Sequence, residues 1–548
     1  MKKYTFPTRC VLAALLLGPA LTTLPSCNKT FLDESPKSIL TPDNLYVDRA
    51  GFETGLYGLY NLVRNERAGT DGAANFLTFS ADFVGTDIGF SIFPAVSSND
   101  QVFQDFGVVN NSTFAGVNTT WRYLYQMINA ANTIIGRADD PKVNLAPADK
   151  SQIVGEARLI RAMAYRHLTY LFGDVPLNLT ESTGSNIRTD WDRNPVADVR
   201  AQMEQDFLFA EANMADTPPT ENRMPRAMAT HFLAELYLTT GDNQKAKDKA
   251  LSVVNNSRYK LITARYGVNS KLPGTPFTDM FLDGNSLRSQ GNTEELWVLQ
   301  NAYLSLGGDY NIMRRWWVNR YDLITVSGKR PIQVSIEDGG RGLGRLGLTR
   351  FALNLYAPGD DRGSAYAIRK YYLYNNPASL PAGSKLGDTI RTTSTGFEAI
   401  NNANWPSIRK WDYAPPVATD VQNSSSYNDQ IYLRVADTYL LLAEAQFKLG
   451  DAAGAAATIN MLRTRAHAKP ITAASVTLDF ILDERSRELV TEEYRRYTLL
   501  RTNTWLTRTR LYNKLSGPKI TDRDKLLPIP QSVIDANLTK PMPQNPGY

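Results

Sequence analysis

The feature that most constrains this chain is an internal repeat. Leu233, Ala234, Glu235, Gly241, Asp242 and Ala246 recur as Leu442, Ala443, Glu444, Gly450, Asp451 and Ala455, all at one constant offset. They lie in two stretches, Pro225 to Ala250 and Asp437 to Ala455. Small residues let two helices approach closely, and Gly-Asp turns the chain between them. This is the signature of a tetratricopeptide-like helix pair. About four such pairs are expected, spread over the two ends of the chain. The predicted fold class is therefore mainly α: a helical-pair scaffold carrying a large, loop-rich, mixed excursion.

The helices around the repeat read the same way. In Asp149 to Pro176, Ile153, Ala157, Ile160 and Ala164 form an apolar stripe, with Arg158, Arg161 and Arg166 beside it. That spacing predicts an amphipathic helix capped by Asp149 and ended at Gly173. Asn44 to Asn65 and Trp121 to Arg137 also read as helices, and Leu478 to Arg501 as one final helix laced with ion pairs. Phe76 to Phe114 lacks a helical period and reads as loop. The tail from Leu526 is proline-rich and is expected to wrap the surface.

Asn255 to Ser426 breaks the pattern. It is dense in Gly, Pro, Asn, Tyr and Trp, with short strand-like runs such as Glu295 to Gln300. It is too aromatic for a disordered linker, so it reads as a folded excursion seated on the scaffold.

The first 27 residues have the form of an export signal. Lys2, Lys3 and Arg9 precede an apolar run, Val11 to Leu17, too short to span a bilayer. Leu24-Pro25-Ser26-Cys27 resembles a lipobox, with Pro25 as a departure, so Cys27 is the expected lipidation site. The expected organisation is a signal peptide at 1–26, a tether at 27–43 and a single domain at 44–548. Within that domain the scaffold covers 44–254 and 427–548 and the excursion covers 255–426. The formal charge of +5 falls to about +2 once the three cations of the signal are removed, which gives no support for a nucleic-acid partner. Three histidines in 548 residues argue against a His-based metal site or a Ser-His-Asp site. No metal or cofactor is expected.

Several ordered motifs resemble the SusD/RagB family of outer-membrane nutrient-binding lipoproteins. They include EARLIRAMAYRHLTYLFGDVPL (156–177), RAMATHFLAELYLTTGD (226–242), LRVADTYLLLAEAQFKLGD (433–451), ILDERSRELVTEEYRRYTLLR (481–501) and LLPIPQSVIDANLTKPMPQNPGY (526–548). The resemblance implies a lipid-anchored protein of the outer membrane, exposed at the cell surface. It would cap a TonB-dependent transporter and deliver oligosaccharide to it, or in some members peptide, without catalysis. The rival readings are a polysaccharide hydrolase and a tetratricopeptide adaptor with only protein partners.

Gly342 to Gly347 matches G-x-G-x-x-G but lacks the βαβ context of a dinucleotide fingerprint, so it reads as a loop. Glu484/Glu488 have arginine neighbours and read as structural, and Asp360-Asp361-Arg362 resembles a recurrent structural turn of the family. Trp121, Tyr125, Tyr165, Tyr439 and Trp411 read as core. In the run RRWWVNRY, Trp316 and Trp317 are neighbours, and on an extended chain they would face opposite sides. An exposed tryptophan offers a flat face to sugar C–H groups. Trp316, Trp317, Tyr321 and Tyr310 are therefore the first ligand-contact candidates. Phe90, Phe93 and Asp87 follow, with Asp82 and Arg320 as weaker polar ones.

Overall fold

A computed structural model describes residues 41–67, 77, 80–92, 99–107, 110–302, 313–392, 401–412, 421–422 and 427–548. Its elements follow from where the apolar residues fall. Helix α1 (Arg49–Arg64) buries Phe52, Leu56, Leu59 and Val63, one stripe of the helix, and Asp48 caps its start by accepting from the Gly51 amide. A short strand, β1 (Gly89–Ser91), follows. Then come α2 (Ala115–Arg137) and α3 (Pro147–Phe172). Helix α3 starts earlier than expected. Pro147 occupies its first turn, where a missing N–H costs nothing, so Asp149 lies inside the helix rather than capping it.

Helices α4 (Val196–Asn213), α5 (Arg226–Thr240) and α6 (Asn243–Val254) continue the stack, each against the one before. The chain then leaves for the excursion. Its described part holds β2 (Glu295–Leu299), the short helix α7 (Met313–Trp317), β3 (Leu346–Leu348) and further two- and three-residue strands. The chain returns through β4 (Gln430–Arg434), which pairs antiparallel with β2 and closes the neck of the excursion. Helix α8 (Val435–Lys448) then packs on α6, so the stack resumes where it was interrupted, and α9 (Ala452–Arg465) packs on α8.

The repeat is thus the pairs α5/α6 and α8/α9. Gly241 and Gly450 both adopt the left-handed conformation (φ 90° and 83°), which a glycine enters without steric penalty. Asp242 and Asp451 each cap the next helix, accepting from Lys245 N and Gly454 N.

The final acidic–basic stretch is two helices, not one: α10 (Leu478–Leu489) and α11 (Arg495–Arg501). Between them Thr491 has a positive φ (68°), and Glu492 turns inward to Arg434 and Lys410. Helix α12 (Trp505–Tyr512) precedes the tail, and a short helix, α13 (Gln531–Ala536), interrupts it. The tail is pinned by Asn545, which donates to Phe172 O and Leu527 O. Leu45–Tyr548 forms one compact unit. No helix among the described residues is long and apolar enough to cross a membrane.

Candidate functional site

The ligand-contact candidates of the sequence are mostly core. Trp316 is 6% and Trp317 1% exposed. Both lie in α7, a helix rather than an extended segment, so neighbours need not face opposite ways. Trp317 meets Phe83 edge-on at 4.5 Å, and the Arg345 guanidinium lies over the Trp316 ring at 5.8 Å. The G-x-G-x-x-G loop runs directly beneath them. Leu343 N, Gly344 N and Arg345 N donate to Arg315 O, Val318 O and Trp316 O. A Cβ on Gly342 would stand 1.7 Å from Val318 O. The glycine is needed for this close packing.

Tyr321 is buried, stacked on Tyr372 at 4.7 Å, and its hydroxyl donates to Gly340 O. Phe90 is buried on β1, which pairs with β3, and meets Trp405 at 5.8 Å. Asp87 is buried as well. It accepts from Arg495 at 2.8 and 2.6 Å and from Arg508 at 2.8 Å. Burial alone would raise its pKa, but these two guanidinium groups hold it below the usual carboxylate range. None of these five can serve as an open platform, because packing or ion pairing already takes up the face or atoms a ligand would need. Of the weaker candidates, Asp82 is buried and pushed up to about 7 by that burial. Arg320 is bound to Asp322 at 2.9 Å. Tyr310, Phe93 and Cys27 lie outside the described residues.

The open aromatic site is elsewhere. Tyr57, Tyr60, Asn61 and Arg64 fall at i, i+3, i+4 and i+7 on α1, beside the stripe that meets the core. They form one wall of a cavity of about 460 Å3. Trp297 to Leu299 on β2, with Gln300 to Ala302 after it, form the other wall, and Asn222 closes one end. Tyr57 is 44% exposed. Its hydroxyl and the Asn61 side-chain amide make no hydrogen bond among the described residues.

The inner rings are fixed. Trp297 donates from Nε1 to Asn222 O at 3.0 Å, and the Tyr60 hydroxyl donates to Glu156 at 2.5 Å while accepting from Met224 N. Tyr60 and Trp297 lie 5.9 Å apart. Arg64 bonds Gln300 O and Asn301 Oδ1 across the cleft. Asn301 is in turn held by Asp429 and Asn428. Burial pushes Asp429 up to about 6. A floor of fixed rings, one exposed ring and one free amide is chemistry for binding a polyhydroxylated ligand. The sequence signal was a polar-aromatic face on α1, overlooked because α1 reads first as a core helix. Among the described residues, no cluster of His, Cys, Asp and Glu is placed to hold a metal ion.

Comparison with known proteins fits this architecture. The SusD family model matches residues 350–548, and a second model, described as starch-binding and associating with the outer membrane, matches 31–238. The chain belongs to the SusD family. This SusD-family protein is 27% identical to SusD-like protein P2 of Formosa agariphila, with all of both chains covered. It is 22% identical to a SusD-like protein of Bacteroides ovatus, covering 88% of this chain and 80% of the relative. Among solved structures it resembles a laminarin-binding SusD-like protein (TM-score 0.69, 21% identity, 92% of this chain and 100% of the other). It also resembles B. fragilis NanU (TM-score 0.67, 22% identity, 94% and 100%). The helical-pair scaffold is the fold these structures share with it, and family membership supports association with the outer membrane.

Proposed function

We propose that this protein binds oligosaccharide at the Tyr57 cavity and passes it, uncleaved, to a TonB-dependent outer-membrane transporter while anchored at the cell surface by lipid on Cys27. The family membership and the solved neighbour named for laminarin binding support a glycan as ligand. The observation that carries the reading is the exposed Tyr57 ring beside the fixed rings of Tyr60 and Trp297, with the Asn61 amide unused. Tyr57 stands on the surface, so Tyr57→Ala should leave the thermal melt unchanged. Stacking lost from a contact residue should weaken oligosaccharide binding by about 1–3 kcal/mol, about 5- to 150-fold. Calorimetry with laminarin oligosaccharides, starch oligosaccharides and a mixed peptide library checks this. Tight binding of peptide with none of glycan would move the assignment to a peptide-binding member. Glycan binding that Tyr57→Ala leaves intact would place the site elsewhere.

A further inference from the structure

A second cleft, sharing no residue with the first, lies where the C-terminal helix meets α2. Its volume is about 590 Å3, and α2, the connector at 176–191 and the segment 532–542 enclose it. Three rings line it. Trp121 is buried and tilted against Tyr125 at 5.1 Å. Tyr125 is half-buried, its hydroxyl spent on Pro176 O at 2.7 Å. Trp191 is half-buried too, and its backbone is held from both sides by Asn537. The Trp191 N–H donates to Asn537 Oδ1 at 2.7 Å, and Asn537 Nδ2 donates to Trp191 O at 3.0 Å. The rings therefore sit on a braced frame rather than on a free loop.

Charge sets this cleft apart. Arg122 and Arg188 line it, and no Asp or Glu does among the described residues. Arg188 lies over the Trp191 ring at 4.1 Å and bonds Asp190 outside the cleft. Arg122 is exposed and has no partner among the described residues. An arginine fork without a carboxylate matches a carboxylate or sulfate bidentately. Partly open aromatic faces match the C–H face of a pyranose.

We infer that this cleft is a second saccharide site, selective for sugars that carry a negative charge. The class of ligand rests on the glycan-binding reading above, but the location does not. Carboxylated and sulfated sugars share the recognised chemistry, so both are tested: a galacturonate tetramer and a sulfated oligosaccharide of matched length, against a neutral laminarin tetramer. Binding is measured by calorimetry on the full mature chain, at low and high salt, with Arg122→Ala, Trp191→Ala and Tyr57→Ala as variants and a thermal melt on each. The expected result is that at least one anionic oligosaccharide binds, more weakly at high salt. Arg122→Ala should weaken it about tenfold with the melt unchanged, while Tyr57→Ala leaves this component intact. Rescue of half or more of the loss by Arg122→Lys would show that charge is what Arg122 supplies. Anionic binding that Arg122→Ala leaves unchanged overturns the inference but not the glycan reading. Equal binding of a glutamate tetramer also overturns it, because charge alone would then be read. If no saccharide of any kind binds, both readings fail together.

Discussion

At the scale of single residues, Trp316 and Trp317 show how a polar-looking run can hide a core. Both rings are enclosed, Trp317 against Phe83, which lies more than two hundred residues away in sequence. Their removal is a packing loss, not a binding loss. Trp317→Ala should destabilise the fold by about 3–5 kcal/mol, and ligand affinity measured well below the melting transition should stay within twofold. Chemical denaturation paired with calorimetry checks both halves. A variant with normal stability and lost affinity would restore the ring to the ligand face. Asp87 follows the same logic. Asp87→Asn keeps the shape but leaves Arg495 and Arg508 without their shared charge, so it should cost about 3–5 kcal/mol.

At the scale of elements, the repeat transmits more than a turn. Glu235 and Glu444 occupy equivalent positions, and each clamps an arginine from another helix: Arg166 for the first, at 2.7 and 2.8 Å, and Arg501 for the second. The Arg501 guanidinium, with Lys448 beside it, holds Glu444 at about 2 against the desolvation that would raise it. At the turn, an added Cβ on Gly450 would meet nothing within 4 Å, so only the backbone penalty remains. Gly450→Ala should cost about 1–2 kcal/mol, and Asp451→Ala, which removes the cap, about 1 kcal/mol. Urea titration of each separates them from the wild type. A Gly450→Ala variant as stable as wild type would show that the turn relaxes out of the left-handed region. These elements were legible in the sequence because their causes are local: a glycine, a cap three residues on, a stripe at helical spacing. The break between α10 and α11 was not, because it depends on Glu492 finding Arg434 and Lys410 from distant segments. Nor was the open pocket. Its second wall, Trp297 to Leu299, sits on β2, whose pairing with β4 joins segments more than a hundred residues apart.

For the whole molecule, the excursion is bound to the scaffold by buried charge, and this sets how stability should vary with pH. Glu488 accepts from Arg362 at 3.1 Å and Arg434 at 2.6 Å, and also from Arg465. Glu484 accepts from Arg362, Arg463 and Arg487. One guanidinium of the excursion, Arg362, thus joins two acids of α10. Burial alone would raise these carboxyl groups, but the arginines hold Glu484, Glu488, Glu492 and Glu444 below the usual range. A group with a lowered folded pKa adds stability above its unfolded pKa, near 4.5, and that stability is lost as pH falls through the folded value. For Glu444, lowered from 4.5 to about 2, the loss is on the order of 3 kcal/mol. A second set works in the opposite sense. Burial pushes Asp82 and Glu295 up to about 7 and Asp429 up to about 6. Such groups favour the folded state below their unfolded pKa, and that advantage is lost as pH rises from the unfolded values, 3.8 to 4.5, to the folded ones at about 6 to 7. The two windows meet near the unfolded carboxyl values, which places the maximum of stability at a pH of about 4 to 4.5, with the melting temperature falling on both sides. Melts from pH 3 to pH 8 at fixed ionic strength test this. Asp82→Asn should make the neutral limb shallower, with Glu295 and Asp429 still contributing to it, and leave the acid limb in place. Glu488→Gln should instead cost about 2–3 kcal/mol at pH 7, since it removes the carboxylate that Arg362, Arg434 and Arg465 share while Glu484, Glu492 and Glu294 stay beside them, and it should make the acid limb shallower. A melting temperature that climbs steadily from pH 5 to pH 8, in the wild type and in Asp82→Asn alike, would mean that these raised carboxyl groups do not govern the neutral limb.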